Sequence, residues 1–217
     1  MKKANLMLNV ILMTTIIVTS CGENVSKKKA ATTNKTSSNE PVVYKEVPIG
    51  KQVWMVDNLN IDKFRNGDSI PQVKTNEEWE KAGKNKQPAW CYYDNNQKNG
   101  AKYGKLYNWY AVNDSRNMAP KGWHIPSDAE WTEVGKQILD SKNSKIVIFN
   151  EFSGFRLSQG KFKWIDKCAG WWSTTDVTEN FALGRNSYGN SAELRNLNDD
   201  MGYGSKKLGL SVRCVRD

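Results

Sequence analysis

The sequence predicts an α+β domain in which two short helices accompany many short strands. Two capping boxes indicate the helices, Thr75-Asn-Glu-Glu78 and Ser127-Asp-Ala-Glu130. In such a box the first and last side chains each bind the other residue's backbone N–H, which fixes the start of a helix. Short runs of β-branched and aromatic residues, separated by Gly- and Asn-rich loops, indicate the strands. This mixture is typical of the α+β class.

The stretch Pro120-Lys-Gly-Trp-His-Ile-Pro-Ser-Asp-Ala-Glu-Trp131 is the strongest local signal in the chain. Pro126 fixes the backbone just before a helix can begin, and Ser127 is a good N-cap. Apolar residues then recur at helical spacing, which predicts a helix over about 127–140. The first capping box is also followed at once by a tryptophan, and Gly83 is the expected end of that helix.

A hairpin is expected where ordered structure begins. The β-rich runs Val42-Val-Tyr44 and Val53-Trp-Met-Val56 flank Pro48-Ile-Gly-Lys51, which reads as the turn. Beyond residue 140 the chain consists of short strand candidates. These are Phe162 to Trp164, Trp171 to Thr175, Phe181 to Leu183, Ala192 to Leu197 and Leu208 to Cys214. The last one alternates apolar and other residues, as a half-buried strand does.

Residues 1–20 have the pattern of a lipoprotein signal peptide. The basic pair Lys2-Lys3 precedes the mostly apolar run Leu6–Val18, which is too short to span a bilayer comfortably. Val18-Thr-Ser-Cys21 is similar to the bacterial lipobox. We therefore expect Cys21 to carry a diacylglyceryl group on sulfur and a further acyl chain, such as palmitate, on its amine. Several acyl chains together give a stable membrane anchor.

The composition divides the rest of the chain into two segments. Residues 21–40 contain the lipidated cysteine and a stretch rich in Ser, Thr, Asn and Lys, which is too polar to form a core and predicts a disordered tether. Residues 41–217 are the expected folded domain. We expect a protein of the bacterial cell envelope that meets the membrane through its lipid, and the sequence leaves the leaflet open.

Charge and histidine count exclude several classes of function. A net charge of +9 would suit a nucleic-acid partner, but the basic residues are scattered and an exported lipoprotein rarely meets nucleic acid, so we expect none. His124 is the single histidine, which excludes a multi-histidine zinc site. Any Ser-His-Asp or Cys-His mechanism would have to use it. It lies inside the turn before the second helix, where a packed, hydrogen-bonded histidine is expected.

Several stretches together resemble one bacterial family. They are Trp54-Met-Val-Asp-Asn-Leu59, Tyr103-Gly-Lys-Leu-Tyr-Asn-Trp109, Pro120 to Trp131, Gly170-Trp-Trp-Ser-Thr174 and Ser211-Val-Arg-Cys-Val-Arg-Asp217. In this order they are similar to the Fibrobacter succinogenes major paralogous domain, from about Val42 to Asp217. The resemblance implies an exported, lipid-anchored module with a C-type lectin-like fold, in which two short helices pack with a small irregular antiparallel sheet and long loops. It implies no established activity.

The resemblance also guides the cysteine pairing. Cys91 and Cys214 lie in segments that match the family's motifs, so they are the expected disulfide. Cys168 is then the expected free thiol, although a Cys168–Cys214 bridge remains open. Three cysteines besides Cys21 leave one without a partner in either case.

Aromatic residues give the positive indication of binding. Trp164, Trp171 and Trp172 lie around one Gly-rich segment, and Tyr188 and Tyr203 lie in later polar loops. Exposed aromatic faces stack on sugar rings and dominate many interfaces. Because adjacent residues of a strand point to opposite faces, we expect one of the tryptophans at 171 and 172 to be in the core and the other to contribute to a surface patch.

Calcium is the one metal for which the sequence offers candidates. Asn198, Asp199 and Asp200 form the nearest candidate site, and Asp94-Asn-Asn96 forms a second. Neither has the ligand spacing of a known calcium loop. Asn and Asp runs in loops are usually turn formers, so we expect no cofactor.

We therefore expect a non-catalytic binding module whose ligand is a glycan or another surface protein, contacted by the loops between about Asp176 and Lys207. The first alternative is a purely structural envelope or adhesion component. The second is a hydrolase or oxidase on a fold like that of the formylglycine-generating enzymes, whose motif the sequence does not match. Among the 23 acidic residues no spacing singles out a catalytic carboxylate pair.

Overall fold

The computed structural model describes residues 43–140, 149, 151–189, 195–196 and 204–217. The expected signal peptide, the lipidated cysteine and the tether lie outside these residues. Val42–Asp217 forms one compact unit. Within the described ranges, no helix is both long enough and apolar enough to cross a membrane.

Four α-helices lie in the described ranges, accompanied by one 3₁₀ turn at Tyr93–Asn95. The helices are α1 (Asn76–Lys84), α2 (Gln97–Tyr103), α3 (Trp109–Val112) and α4 (Asp128–Asp140). Both predicted capping boxes are formed, at Thr75 with Glu78 and at Ser127 with Glu130. Helix α1 ends with Asn85 as its C-cap, so the predicted end at Gly83 is wrong by two residues.

Helices α2 and α3 are additional to the two helices that the sequence predicts. Each begins at an asparagine, since the Asn96 side chain accepts from the backbone N–H of Lys98 and the Asn108 side chain accepts from that of Ala111. Asparagine also begins many turns, and helices of one or two turns are too short to show a helical period. Sequence patterns therefore miss them.

The described strands are short, apart from two. They are β1 (Glu46–Ile49), β2 (Gln52–Met55), β3 (Trp90–Cys91), β4 (Leu106–Tyr107), β5 (Trp123–His124), β6 (Phe155–Arg156), β7 (Phe162–Lys163), β8 (Cys168–Asp176), β9 (Ala182–Tyr188), β10 (Arg195–Asn196) and β11 (Val215–Arg216). They form four small sheets with the orders β1-β2-β11-β5, β10-β9-β8, β3-β4 and β6-β7. The paired strands are antiparallel, so the α+β class is confirmed.

The predicted hairpin is confirmed with a shifted first strand. Strands β1 and β2 pair around Gly50, whose φ of +59° is the left-handed conformation that favours glycine. The predicted strand over 208–214 is wrong. Gly209, Leu210 and Ser211 form single bridges to three different partners, because this segment passes between elements and does not run along one of them.

The described core residues form three clusters. The first core includes Met55, Leu59, Tyr107, Trp109, Trp172 and Cys214. The second core includes Trp54, Trp131, Val134, Ile138, Phe149 and Trp171. The third core includes Trp79, Ala82, Cys91, Tyr93 and Leu106. Strand β8 contributes to both the first and the second core, so apolar side chains cover both of its faces.

Candidate functional site

The structure buries both tryptophans that the sequence offered as a contact patch. Trp171 and Trp172 are each 0% exposed. The Trp171 indole donates to the Asn58 side chain at 2.8 Å, and the Trp172 indole donates to the Tyr107 carbonyl at 2.8 Å. The two side chains do point to opposite faces of β8, but each face lies against a core. The predicted patch at this pair is therefore wrong.

The other predicted ligand residues do not form a described site. Tyr188, at the end of β9, is half-buried and packs against the first core. Tyr203 and the candidate calcium ligands Asn198, Asp199 and Asp200 lie outside the described residues. Among the residues that are described, no group of three His, Cys, Asp or Glu side chains is placed to hold a metal ion.

The predicted Cys91–Cys214 disulfide is not formed. Cys91, Cys168 and Cys214 are all buried, and none of them forms a disulfide within the described part of the chain. Cys91 lies in the third core, whereas Cys214 lies in the first core. Burial raises the pKa of the Cys91 thiol to about 12, although Arg156 opposes the rise. The three cysteines therefore pack as small apolar side chains, and the Cys91 thiol is protonated at neutral pH.

Trp164 is the exception among the nine tryptophans. The other eight are buried, while Trp164 is 39% exposed. It is also the one exposed aromatic residue of the described part of the chain. One edge of the side chain packs against Phe155 in a T-shaped contact with ring centroids 5.7 Å apart. Part of the indole is thus held by the fold, and part is available to a ligand.

Trp164 lies in a tight turn between β7 and β8, which we call the Trp164 turn (residues 164–167). The carbonyl of Trp164 accepts from the backbone N–H groups of Lys167 at 3.1 Å and Cys168 at 3.0 Å. Trp164 has a φ of +63° and Asp166 a φ of +58°, so both adopt the left-handed conformation. A non-glycine residue there costs on the order of 1–2 kcal/mol. The contacts of the surrounding fold hold the turn in this geometry.

The residue that packs beneath the Trp164 turn, Gly154, has to be a glycine. Gly154 has a φ of +64°, and a Cβ at this position would lie 2.5 Å from the Tyr93 ring, 2.6 Å from the Lys163 carbonyl and 2.8 Å from the Ile165 nitrogen. No other residue allows the turn to approach this closely. Gly154 therefore fixes the position of the Trp164 turn against the third core.

Polar groups meet at the other end of the turn. The Tyr103 hydroxyl donates to the Asp166 carboxylate at 2.5 Å, and the Lys102 ammonium lies 2.6 Å from that hydroxyl and 3.2 Å from the carboxylate. The Tyr103 hydrogen bond, followed by that from Lys102, lowers the pKa of Asp166. The turn therefore presents an exposed indole together with an ionised carboxylate and an ammonium group.

His124 forms a second polar cluster, on β5. Its Nδ1 lies 2.9 Å from Asp217 Oδ1, and its Nε2 lies 2.7 Å from Glu130 Oε1. The Ser127 hydroxyl donates to the other Glu130 oxygen at 2.7 Å. Both ring nitrogens thus face carboxylates, and the serine hydroxyl faces Glu130 and not the imidazole. A general base that activates a serine needs the opposite arrangement.

Asn58 is the centre of a buried group of hydrogen bonds that joins several motif segments, which we call the buried polar hub. The Asn58 side-chain oxygen accepts from the Trp171 indole at 2.8 Å and from the Arg213 guanidinium at 2.7 Å. Its nitrogen donates to the Tyr103 carbonyl at 3.0 Å. Asn58 is 6% exposed and Arg213 is 0% exposed. These motif segments thus build the interior and leave little of themselves to a ligand.

Sequence reasoning grouped Trp164 with the other aromatics but did not single it out. Position relative to the family motifs does not single it out either. Trp79 also lies outside the stretches that carry the family resemblance, yet it is 1% exposed and belongs to the third core.

Comparison with known proteins identifies one family. Residues 47–147 match the model of the Fibrobacter succinogenes major domain. No curated protein and no solved structure matches the chain significantly. The match includes Asn58, Tyr103 and His124, whereas the Trp164 turn lies beyond it. Over residues 47–147 the resemblance to the Fibrobacter succinogenes major domain is therefore confirmed.

Proposed function

We propose that this protein is a non-catalytic glycan-binding module of the bacterial cell envelope and that the Trp164 turn is its contact site. The observation that carries the proposal is the exposed indole of Trp164, held in a left-handed backbone conformation. This site replaces the contact patch that the sequence suggested at β8. The C-type lectin-like relation of the fold is part of the same proposal.

The backbone of the turn supports a functional interpretation of its exposed side chain. Glycine would relieve the strain at residue 164, yet the chain has a tryptophan there. Strained non-glycine positions cluster at binding and catalytic sites, where the strain is tolerated for the sake of function. A half-exposed indole anchored at one edge can stack on the apolar face of a sugar ring without losing much side-chain entropy on binding.

The polar groups beside the turn can form hydrogen bonds with the hydroxyl groups and ring oxygens of a sugar. The Asp166 carboxylate can accept from ring hydroxyls, and the Lys102 ammonium can donate to ring oxygens. The Tyr103 hydroxyl and Lys102 already orient this carboxylate, at 2.5 Å and 3.2 Å respectively. A stacking platform beside oriented polar groups is the combination by which protein pockets bind and orient small polar ligands.

The absence of catalysis is proposed from the two polar clusters. Both nitrogens of His124 lie within hydrogen-bond distance of carboxylates, at 2.9 Å and 2.7 Å, so the imidazole has no nitrogen directed to a substrate. Glycoside hydrolysis requires two carboxyl groups flanking the scissile bond. Asp166 is the single carboxylate of the Trp164 turn. Both points favour binding over hydrolysis.

Attachment to the membrane through Cys21 completes the proposal. The lipobox-like Val18-Thr-Ser-Cys21 is its support. Labelling cells with radioactive palmitate should mark the protein, and a Cys21→Ser variant should remain unlabelled and leave the membrane fraction. Equal labelling of the wild type and the variant would contradict lipidation at this residue.

The contact site is tested with a glycan array and a Trp164→Gly variant, both in the full chain carrying Cys21→Ser. Glycine should lower glycan affinity at least about tenfold, as the loss of an aromatic hot spot of about 2 kcal/mol does. Stability should change by less than about 1 kcal/mol, because relief of the left-handed conformation offsets the lost contact with Phe155.

Leu139→Ala is the matched control, because Leu139 is another exposed apolar residue, 67% exposed on α4. It should leave glycan binding unchanged. If no glycan binds, or if Trp164→Gly binds as the wild type does, the proposed site is wrong. Two alternatives would then remain. The protein would bind another surface protein, or it would have a purely structural role in the envelope.

A further inference from the structure

The Trp164 turn lies within a group of lysines. Lys161, Lys163 and Lys167 are all exposed. Among the described residues, none of the three forms an ion pair. Ammonium groups without a described ion-pair partner thus lie on both sides of an exposed indole, so stacking and positive charge coincide on this surface.

The local structure explains why these lysines accompany the tryptophan. Alternate residues of a strand share a face, so Lys161 and Lys163 lie on the face opposite Phe162. Phe162 packs against Tyr93 of the third core, with ring centroids 5.1 Å apart. The two lysines therefore face solvent. Lys167 closes the Trp164 turn, and its carbonyl accepts from the Gly189 backbone N–H at 2.9 Å.

The carboxylates that the structure describes on this surface do not pair with the three lysines. Asp166 is engaged by Tyr103 and Lys102. Glu151, whose charge interacts with that of Lys102, pairs with Arg213 at 3.5 Å. Burial raises the pKa of Tyr93 beneath the turn, and the charge of the exposed Asp94 adds to the rise. The surface beside Trp164 thus keeps a positive potential that would attract an acidic ligand.

We propose that the ligand of the Trp164 turn is an acidic polysaccharide built from uronate residues. This inference rests on the proposed glycan-binding function and names its ligand class. The indole stacks on one sugar ring, and Lys163 and Lys167 pair with carboxylates of that ring and its neighbours. An exposed lysine–carboxylate pair contributes little by itself, so stacking supplies the anchor and the repeated charges supply the selectivity.

The test measures binding of the full chain carrying Cys21→Ser to four polymers. Polygalacturonate and alginate are polyuronates with different ring stereochemistry, dextran is neutral, and dextran sulfate is an anion of another kind. The polyuronates should bind more tightly than dextran, and this preference should fall as salt screens the charges. Trp164→Gly should abolish binding of the polyuronates.

A Lys163→Gln/Lys167→Gln double variant should lower polyuronate affinity about tenfold at low ionic strength, since two charge contacts are removed. The matched control is Lys121→Gln/Lys136→Gln, which removes two exposed lysines outside the turn and should leave affinity unchanged. The comparison of the two double variants separates local pairing from the effect of net charge.

Three results would overturn the inference. Unchanged polyuronate affinity in Lys163→Gln/Lys167→Gln would remove the charge pairing, yet the proposed function would stand if Trp164→Gly still lost binding. Equal affinity for dextran would remove the acidic preference. If Trp164→Gly changed the binding of neither the polyuronates nor dextran sulfate, general polyanion adsorption would be identified, and then both proposals would be wrong.

Discussion

Strand β8 and the Trp164 turn both present tryptophan within nine residues of each other, yet the two regions serve opposite purposes. Trp171 and Trp172 lie on opposite faces of a strand that is covered on both sides, so each fills a different core. Trp164 lies in a turn whose inner side alone is covered, by Phe155. Whether a tryptophan is structural or available thus depends on how many sides of its backbone other elements cover.

The largest loss of stability is expected from a substitution in β8. A Trp172→Ala variant should lose about 3–5 kcal/mol of unfolding free energy, because it leaves a cavity in the first core and removes one of the two donors of the Tyr107 carbonyl, which keeps the Leu210 backbone N–H. Urea denaturation measures this change. Trp164→Gly is the counterpart, and it should change stability little. Equal losses in the two variants would remove the distinction between the two regions.

The buried hub beneath β8 should give the next largest effect. Asn58→Leu removes the acceptor of the Trp171 indole and of the Arg213 guanidinium. Burial lowers the pKa of Arg213 to about 10, and the Glu151 charge opposes that shift. A buried charge that loses its hydrogen bond should cost about 3 kcal/mol, measured by thermal or urea unfolding.

Asn66→Leu serves as the control for the hub, because Asn66 is exposed and bonds locally to Asp68. It should change the unfolding free energy by less than about 0.5 kcal/mol. A similar small change for Asn58→Leu would show that the hydrogen bonds of Asn58 do not stabilise the packing of β8.

His124 is intermediate between the buried and the exposed residues compared above. Its side chain is 39% exposed, while both ring nitrogens have partners. Burial opposes protonation, but the hydrogen bonds to Glu130 and Asp217 outweigh it and raise the His124 pKa above 6.5. A raised folded-state pKa stabilises the protein below the unfolded value, and this contribution is lost as pH rises through the folded value.

Glu130 behaves in the opposite sense. Burial would raise its pKa, but hydrogen bonds from Ser127 and His124 lower it below 4.5. Its contribution is therefore present above that value and is lost as pH falls through the folded pKa. Both contributions are present together between the two unfolded values, roughly pH 4.5 to 6.5.

The expected loss of stability from pH 6 to pH 8.5 is below about 1 kcal/mol, since solvent screens a partly exposed pair. Urea midpoints at the two pH values measure it, and His124→Gln should flatten the dependence without changing glycan binding. A wild-type protein that is more stable at pH 8.5 than at pH 6, relative to His124→Gln, would contradict the assigned sign.

Local sequence rules predicted the features that depend on neighbouring residues. The capping boxes at Thr75 and Ser127, the hairpin around Gly50 and the apolar face of α4 are all formed. Helices α2 and α3 were missed because a single asparagine cap does not distinguish a short helix from a turn. The strand expected over 208–214 was wrong because alternation alone does not provide a partner strand.

The candidate site was less predictable than the fold. The alternation rule placed Trp171 and Trp172 on opposite faces correctly, but it carried no information about what covers each face. Trp164 shows no sequence pattern that separates it from the buried tryptophans, since Trp79 also lies outside the motifs and is buried. The expected Cys91–Cys214 disulfide failed for the same reason, because family motifs do not report which core a cysteine enters.

By itself, the sequence determined the α+β class, the starts of α1 and α4 and the resemblance of residues 47–147 to a known family. These follow from interactions between residues a few positions apart or from motifs that can be read directly. Only the tertiary structure decided that β8 lies between two cores, that the three described cysteines form no disulfide and that Trp164 alone among the tryptophans faces solvent. Exposure depends on segments distant in the chain, such as the Asn58 and Arg213 segments that close over β8, and no local pattern encodes their position.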